Sequence, residues 1–262
     1  MTASASSLMA TAQDFFGPDR LVRVGFPDEE CCGKRGSEPR GAHISAETML
    51  DRRLNMVNGQ LRTGGVVDRA LLGAFLDTPR QRFVKPDYAS LAYLDRQLPA
   101  RGAKIRRLLA PVTLARMLQA AAVVAGERAL DVAGGSGYGA AILATVGAKV
   151  VLLESDPGAA EAAKAELHHR AEVTVIVGPL DSAAASLGPF DLIVVEGAFG
   201  VAPDALLALL ADSGRLVGVD ASSEPSQAAL YEKAGRAISR RALFETRADL
   251  LDGFQPRASF AF

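Results

Sequence analysis

Cysteine and histidine are scarce in this sequence, and long apolar runs are missing from it. The two cysteines, Cys31 and Cys32, are adjacent in a chain of 262 residues, which excludes a disulfide framework and a C-x-x-C metal site. No apolar run approaches the ~20 residues that a membrane span requires. The first residues also lack the charged and then apolar pattern of a secretory signal. We therefore expect a cytoplasmic protein with no metal site and no membrane partner.

An excess of charge of either sign is missing as well. Lysine and arginine together number 29 and aspartate and glutamate 30, so the net charge is −1. Such a balance gives no electrostatic reason to expect a nucleic acid as the partner. An apolar content of 49% with 23% charged residues is typical of a globular protein. The length is sufficient for one sizeable core with a small appendage.

One glycine-rich stretch stands out, Ala129-Leu-Asp-Val-Ala-Gly-Gly-Ser-Gly-Tyr138. Its apolar start predicts a buried strand of a parallel sheet, and a helix is expected to begin near Tyr138. Gly134, Gly135 and Gly137 let the backbone turn tightly and approach a ligand closely. The free amides at the start of the helix favour an electron-rich group. The stretch is therefore typical of a loop that binds a nucleotide-type cofactor.

Two acidic residues bear on the identity of that cofactor. Glu154 ends the next predicted strand, where a carboxylate can accept hydrogen bonds from the ribose hydroxyls of an adenosine. Asp131 precedes the glycines and suits the cationic amino-acid tail and sulfonium of S-adenosylmethionine. A dinucleotide is the alternative, because Gly135-Ser-Gly-Tyr-Gly-Ala140 satisfies the G-x-G-x-x-A fingerprint. That fingerprint does not need Asp131, so we favour S-adenosylmethionine.

The C-terminal half alternates between predicted strands and helices. Each strand is almost continuously apolar, which is typical of the parallel sheet of a doubly wound α/β fold. A hairpin is predicted at the end of the sheet from Ala228–Lys233, a turn at Gly235 and Ile238–Leu251. The predicted strands are 128–132, 149–154, 173–177, 191–196 and 215–219. The predicted helices are 138–146, 156–169, 180–187 and 203–211.

Three regions are predicted along the chain. Residues 1–47 lack periodicity and are rich in serine, glycine and proline, so we expect a poorly ordered N-terminal extension. Residues 48–110 are expected to form a small helical cap and the acceptor-side segment, with Asp68 as the N-cap of one helix. Residues 111–262 are expected to form the Rossmann-like domain, whose first helix begins at Pro111.

Several short motifs resemble those of the protein-L-isoaspartate (D-aspartate) O-methyltransferase family, a class I methyltransferase family. Asp131–Tyr138 is similar to the cofactor loop of that family. The similarity extends from about Met56 to the C-terminus. The N-terminal motifs, in the order and spacing of the family, are Asn55–Leu61, Val67-Asp68, Thr78-Pro-Arg-Gln-Arg-Phe-Val84, Ala92-Tyr-Leu-Asp95 and Leu98-Pro99. The strand motifs are Pro189-Phe-Asp-Leu-Ile-Val-Val195 and Gly214-Arg-Leu-Val217.

The resemblance implies a class I S-adenosylmethionine-dependent fold with a mostly parallel sheet, an antiparallel terminal hairpin and a small helical cap. It further implies methylation of the α-carboxylate of isoaspartyl residues in damaged proteins or peptides. The acceptor is expected beside Leu109–Pro111 and a loop at 196–200, and no catalytic residue is assigned. The predicted cofactor-binding residues are Asp131, Ala133, Gly134, Gly135, Ser136, Gly137, Tyr138, Glu154, Gly178 and Glu196.

The sequence also departs from the family pattern. Leu108, Leu109 and Ala110 replace hydroxyl-bearing residues of the segment before Pro111. Arg106 and Arg107 are then either a clamp for a carboxylate or two solvated arginines. Alanine at 133 replaces the first glycine of the loop, and Pro179 replaces an aspartate after Gly178.

These departures leave two alternatives to isoaspartyl methylation. One is a module that binds S-adenosylmethionine with little catalysis. The other is a methyltransferase with a changed acceptor, for example a small molecule.

Overall fold

The N-terminal part of the described chain is helical. A computed structural model describes residues 46–255. The elements of this part are α1 (Ala46–Met56), a π-helical turn (Val57–Leu61), α2 (Arg69–Asp77) and 3₁₀ turns at Arg80–Arg82 and Pro86–Leu91. Asp68 caps α2 as predicted, because its side chain accepts a hydrogen bond of 3.0 Å from the backbone N–H of Leu71. Nearly all of the predicted extension 1–47, including both cysteines, lies outside the described residues.

A short antiparallel hairpin follows the cap. Its strands are β1 (Leu98–Pro99) and β2 (Arg107–Leu108), and Leu98 lies opposite Leu108. Residues 98–108 are called the β1–β2 hairpin below. The chain then enters α3 (Pro111–Ala120), whose first residue is proline, as predicted.

A seven-stranded sheet forms the centre of the described chain. Its order is β5-β4-β3-β6-β7-β8-β9, with β3 to β7 parallel and the last two strands antiparallel. The mostly parallel sheet with a terminal hairpin confirms the predicted fold class. The strands are β3 (Arg128–Val132), β4 (Lys149–Glu154), β5 (Val173–Val177), β6 (Phe190–Phe199), β7 (Leu210–Asp220), β8 (Gln227–Ala234) and β9 (Ala237–Glu245). The helices between them are α4 (Tyr138–Val146), α5 (Pro157–Leu167) and α6 (Asp204–Leu207).

Both faces of the sheet are buried, which explains why its central strands are apolar at nearly every position. In β6, Val194 packs in the core on one face while Ile193 and Val195 pack in the core on the other. The first core also contains α3, α4, α5 and the cap. Helix α4 is apolar on all sides, so it needs cover on the side that faces away from the sheet. Leu72 and Phe75 of α2 belong to the core that provides this cover.

One predicted helix is absent from the structure, and another is much shorter than predicted. Residues 180–187 form a series of turns, since most of their backbone hydrogen bonds join residues three apart. Nine residues separate Pro179 from Pro189 here, and the second proline disfavours helical geometry at the residue before it. The helix predicted at 203–211 is the four-residue α6, because Leu210 already pairs with Phe190 as part of β7.

Strand β6 is longer than predicted and takes an additional partner at its carboxyl end. The strand continues to Phe199, so the predicted acceptor loop at 196–200 is wrong. The pairing of β6 with β7 is irregular between Val194 and Ala198. The N–H of Ala198 donates to the carbonyl of Asp249 at 2.8 Å, and Leu251 donates back to Ala198 at 2.9 Å. Residues 249–251, called the C-terminal segment below, thus lie against the end of β6 that is nearest the glycine loop.

Candidate functional site

The glycine-rich loop joins β3 to α4 with three residues in the left-handed region. These residues are Ala133, Gly135 and Gly137, with φ of 61°, 59° and 93°. Glycine adopts this region without strain, whereas alanine does so at a cost of about 1–2 kcal/mol. The loop and the start of α4 are buried throughout. The predicted turn is therefore present, with one strained residue at its first position.

Asp131 and Glu196 form a buried acidic pair below this loop. Their exposed fractions are 0% and 2%, and none of their four oxygens has a donor at hydrogen-bonding geometry in residues 46–255. Burial, and then the nearby charge of Glu154, raises the pKa of Asp131 to about 7. Burial, and then the charge of Asp131, raises the pKa of Glu196 well above its usual value. A proton shared by the pair would supply the missing hydrogen bond.

The start of α4 faces this acidic pair. A Cβ atom on Gly139 would overlap Oε1 of Glu196 and would lie 3.4 Å from Oδ2 of Asp131. The amide of Ala140 is a further polar neighbour that lowers the pKa of Asp131. The helix terminus that attracts phosphate in dinucleotide sites is thus directed at two carboxyl groups. This arrangement disfavours a pyrophosphate at the same place.

Glu154 lies at the carboxyl end of β4 and is fully buried, but all of its acceptor positions are used. Its oxygens accept from the backbone N–H groups of Gly135 at 2.9 Å, Ser155 at 2.8 Å and Asp156 at 2.9 Å. The guanidinium of Arg106 donates to the same carboxylate from Nε at 3.3 Å and from Nη2 at 3.2 Å. Glu154 is therefore the anchor for both the glycine loop and the β1–β2 hairpin.

The remaining predicted residues surround this centre. Ser136 is buried and its hydroxyl donates to the carbonyl of Phe83, which attaches the loop to the cap. Tyr138 is also fully buried, and burial raises its pKa. Its ring packs against those of Phe75 and Phe83, with centroids 6.0 and 5.5 Å away. Gly178 donates its N–H to the carbonyl of Glu154 at 3.1 Å. The ten predicted positions thus lie in the carboxyl-terminal halves of β3, β4 and β6, in the turns that follow β3 and β5, or at the start of α4.

Arg80 is the main residue of the site to which the sequence reasoning assigned no role. It is fully buried, its Nη2 donates to the carbonyl of Leu109 at 2.8 Å, and its Cζ lies 4.7 Å from the centroid of Tyr138. Its Nε and Nη1 have no hydrogen-bond partner in the described chain. Burial lowers its pKa, while the charge of Glu196 acts in the opposite direction. The available signal was its place in the motif Thr78–Val84.

The two hairpin arginines differ from each other. Arg106 is 8% exposed and pairs with Glu154, so the prediction of two solvated arginines is wrong for this residue. Arg107 is 46% exposed and makes a two-pronged ion pair with Asp249 of the C-terminal segment. Each arginine does clamp a carboxylate, but the carboxylate belongs to the protein itself.

The wall on the acceptor side is apolar. Leu108 and Leu109 are 1% and 2% exposed, and together with Ala110 they offer no side-chain hydroxyl. A ring nitrogen of His168 meets the carbonyl of Ala165 at 2.8 Å at the end of α5. In residues 46–255 no three potential ligands are grouped as a metal site would require. Nor is any helix of this part long and apolar enough to cross a membrane.

Residues 52–247 match the family model described as Protein-L-isoaspartate(D-aspartate) O-methyltransferase (PCMT). The chain is similar to proteins named protein-L-isoaspartate O-methyltransferase from three bacteria. For Methylorubrum populi the identity is 39% over 63% of this chain and 77% of the relative. For Koribacter versatilis it is 34% over 74% and 88%, and for Gloeobacter violaceus 36% over 73% and 94%.

Solved structures show the same fold. A protein-L-isoaspartate O-methyltransferase superimposes with a TM-score of 0.68 and 25% identity, over 77% of this chain and 66% of that chain. A Plasmodium falciparum protein solved in complex with S-adenosyl-L-homocysteine superimposes with a TM-score of 0.64 and 21% identity, over 76% and 97%. The family match spans most of the chain and agrees with the motifs and the sheet order. The chain belongs to the protein-L-isoaspartate(D-aspartate) O-methyltransferase family.

Proposed function

We propose that this protein transfers a methyl group from S-adenosylmethionine to the α-carboxylate of isoaspartyl residues in proteins or peptides. The proposal is supported by family membership and by the names of the relatives, which are O-methyltransferases. Repair of damaged protein in the cytoplasm is the role that we attach to this activity, and it rests on the family alone.

The observation that carries the cofactor assignment is the buried pair Asp131 and Glu196. Two unpartnered carboxyl groups beside a glycine loop suit a ligand that brings positive charge. S-adenosylmethionine has an ammonium and a sulfonium group, whereas a dinucleotide has a pyrophosphate that these carboxylates would repel. The residues present therefore fit the cofactor that the family implies, and they disfavour the dinucleotide alternative.

The residues that would hold the cofactor follow from this fit. Asp131 and the backbone of the glycine loop would bind the amino-acid part, and Glu154 would accept from the ribose hydroxyls. Glu196 would face the cationic end. Tyr138 would line the site through its ring, because its hydroxyl is deeply buried. When bound, S-adenosylmethionine supplies a methyl group that is open to attack by a nucleophile.

The acceptor needs little chemical assistance from the protein. A carboxylate is already ionised at neutral pH, so no general base is required to activate it. The protein has to hold the carboxylate in line and keep water away. Leu108 and Leu109 provide the dry wall for this purpose. The absence of an assigned catalytic residue is compatible with such a reaction.

A second candidate function is a changed acceptor. It is favoured by Leu108, Leu109 and Ala110, which cannot donate the side-chain hydrogen bonds expected from the family pattern. Glu196 adds to this argument in its ionised form, in which it would repel an acceptor carboxylate nearby. The alternative of a module that binds the cofactor without turnover is favoured by the same residues.

The test is transfer of a labelled methyl group from S-adenosylmethionine to an isoaspartyl peptide. The same peptide with a normal aspartyl residue is the control. We expect base-labile label on the isoaspartyl peptide only, as for a methyl ester of that carboxylate. Cofactor binding without label on either peptide would refute the isoaspartyl activity and favour the second candidate. Absence of cofactor binding would refute the methyltransferase assignment itself.

A further inference from the structure

We propose that Arg106 competes with the cofactor for Glu154, so that the β1–β2 hairpin limits the affinity of the site. This inference rests on the proposed function, because it treats Glu154 as the residue that binds the ribose. The two groups in contact are a hairpin arginine and a cofactor-binding carboxylate of the same chain. Arg106 thereby helps to determine the affinity for the cofactor.

The acceptor capacity of Glu154 is exhausted. Oε1 accepts from the amides of Ser155 and Asp156 and from Nη2 of Arg106, while Oε2 accepts from the amide of Gly135 and from Nε of Arg106. A carboxylate has about four lone-pair positions, and six donor atoms already surround this one when the hydroxyl of Ser155 at 3.5 Å is included. Two ribose hydroxyls can be accommodated only if other donors leave.

Arg106 is the donor that can leave. The three amides belong to the turns that follow β3 and β4, and moving them would require the loop itself to refold. Arg106 instead reaches Glu154 from a separate element, 48 positions away in the sequence. Its exchange for neutral hydroxyls is unfavourable, because it replaces charge-assisted hydrogen bonds at a buried site by ordinary ones. The cost of this exchange makes the binding free energy of the cofactor less favourable.

The hairpin presents the guanidinium from an anchored position. The backbone N–H of Lys104 donates to Asp156 at 2.7 Å. The backbones of Gly102 and Gly158 approach so closely that a Cβ atom on either residue would overlap the carbonyl oxygen of the other. The competing group is thus held in place by the fold, and little conformational entropy is lost when it binds.

The hairpin also fills the space above the loop. A Cβ atom built on Gly135 would lie 3.1 Å from the Cβ of Ala100, and 3.3 Å from both Cγ of Arg106 and Cδ2 of Leu108. Glu154 is completely shielded from solvent, and Arg106 is 8% exposed. Access to Glu154 therefore requires the tip of the hairpin to move, together with its guanidinium.

The experiment compares Arg106→Met with Arg107→Met by calorimetric titration with S-adenosyl-L-homocysteine. Methionine keeps an unbranched apolar stem against Gly135 and removes the guanidinium. Arg107 is the matched control, because it is the next residue of the same hairpin but pairs with the half-exposed Asp249. We expect Arg106→Met to lower the dissociation constant at least about tenfold, and Arg107→Met to leave it within about twofold of the wild type.

A second substitution tests whether Glu154 carries the effect. Glu154→Gln combined with Arg106→Met should lose the gain in affinity, since the freed acceptor is no longer a carboxylate. Near-UV circular dichroism establishes that each variant is folded. If Arg106→Met does not fold, Arg106→Lys replaces it, and its dissociation constant should fall below that of the wild type because an ammonium cannot make the two-pronged contact.

The outcomes separate the two proposals. Equal dissociation constants for the wild type and Arg106→Met would overturn the competition while leaving the proposed function intact. Binding by neither protein would overturn the proposed cofactor and the competition with it. Tighter binding by Arg106→Met that survives Glu154→Gln would also overturn the competition, because the gain would not act through that carboxylate.

Discussion

Ala133 is a residue whose side chain and backbone conformation conflict. Its φ of 61° lies in the left-handed region, where the Cβ atom of an L-residue is crowded by the following carbonyl. The position lies between Asp131 and the glycines, so the strain is at the entrance to the loop. Such strain persists only where the surrounding structure enforces it.

Replacement of Ala133 by glycine should relieve this strain. We expect Ala133→Gly to raise the free energy of unfolding by about 1 kcal/mol. Ala122 is the matched control, because it is exposed, has a φ of 49° and lies outside the loop. Urea denaturation should show similar gains in the free energy of unfolding for Ala133→Gly and Ala122→Gly. A loss of stability for Ala133→Gly alongside a gain for Ala122→Gly would show that the methyl group of Ala133 is needed for packing.

Asp131 should make stability depend on pH. Its pKa is about 7 in the folded chain and about 4 in the unfolded chain, so the folded state holds the proton more tightly between these values. The contribution of Asp131 to stability is therefore greatest below about pH 4 and is lost as the pH rises toward 7. Because a tenfold change in proton affinity corresponds to about 1.4 kcal/mol, this contribution amounts to roughly a few kcal/mol in total.

The measurement is the difference in unfolding free energy between Asp131→Asn and the wild type from pH 3 to pH 8. This difference, variant minus wild type, should increase as the pH rises from 4 to 7. Asp249→Asn is a control of opposite sign, because hydrogen bonding to Arg107 lowers the pKa of Asp249. Its stabilising contribution is lost as the pH falls through that lowered pKa. A flat profile for Asp131→Asn would contradict the assigned titration.

At the scale of elements, the N-cap of α5 has two functions. Asp156 accepts from the amides of Gly158 and Ala159, and it also accepts from Lys104 of the β1–β2 hairpin. Asp68 caps α2 through one amide, that of Leu71. The two helices thus begin in the same way, but only α5 is tied to the hairpin.

Removal of these caps should therefore have unequal costs. Asp68→Ala should lower the free energy of unfolding by about 1 kcal/mol, as for an ordinary cap. Asp156→Ala should cost about 1 kcal/mol more, because an additional hydrogen bond to the hairpin is lost. Thermal and urea unfolding of the two variants test this difference. Equal costs would mean that the Lys104 contact contributes nothing to stability.

The elements differ in how far the sequence could predict them. The parallel strands were predictable because both of their faces are buried, and this produces apolar runs such as residues 150–153. Helix starts with a capping side chain or proline, as at Asp68 and Pro111, were predictable for local reasons. Residues 180–187 have a helical composition, but the tertiary structure holds them as turns. The extension of β6 depends on pairing with a distant segment, which no local pattern reveals.

The site was predictable to a similar extent. Backbone requirements and chain position indicated the loop, Asp131 and Glu154. The partners of Glu154 could not be predicted, because Arg106 approaches it from a hairpin whose position depends on the tertiary fold. The same holds for Arg80, whose buried contacts join the cap to Tyr138 and Leu109.

At the scale of the whole molecule, the C-terminal segment packs against β6 at the site. A Cβ atom on Gly197 would lie 2.6 Å from Cγ of Leu251, which is 1% exposed. Gly197→Ala should therefore lower the free energy of unfolding by about 1–3 kcal/mol through overpacking. Leu251→Ala should cost about 2–5 kcal/mol.

The double variant tests whether the two positions are coupled. Since the smaller side chain at 251 makes room for the added methyl group, the cost of Gly197→Ala plus Leu251→Ala should be less than the sum by about 1 kcal/mol or more. Gly73→Ala is the control, because no atom lies within 4 Å of its added Cβ in α2, and it should be stabilising. Additive costs at 197 and 251 would argue against the contact.

The contact between Arg106 and Glu154 also governs the speed of binding. A cofactor that reaches Glu154 only after the hairpin has opened cannot associate faster than the opening step. In stopped-flow mixing, the observed rate should rise with cofactor concentration and then reach a plateau at the opening rate. The opening rate of the hairpin would then set an upper limit on how fast the enzyme binds a cofactor molecule, at any cofactor concentration.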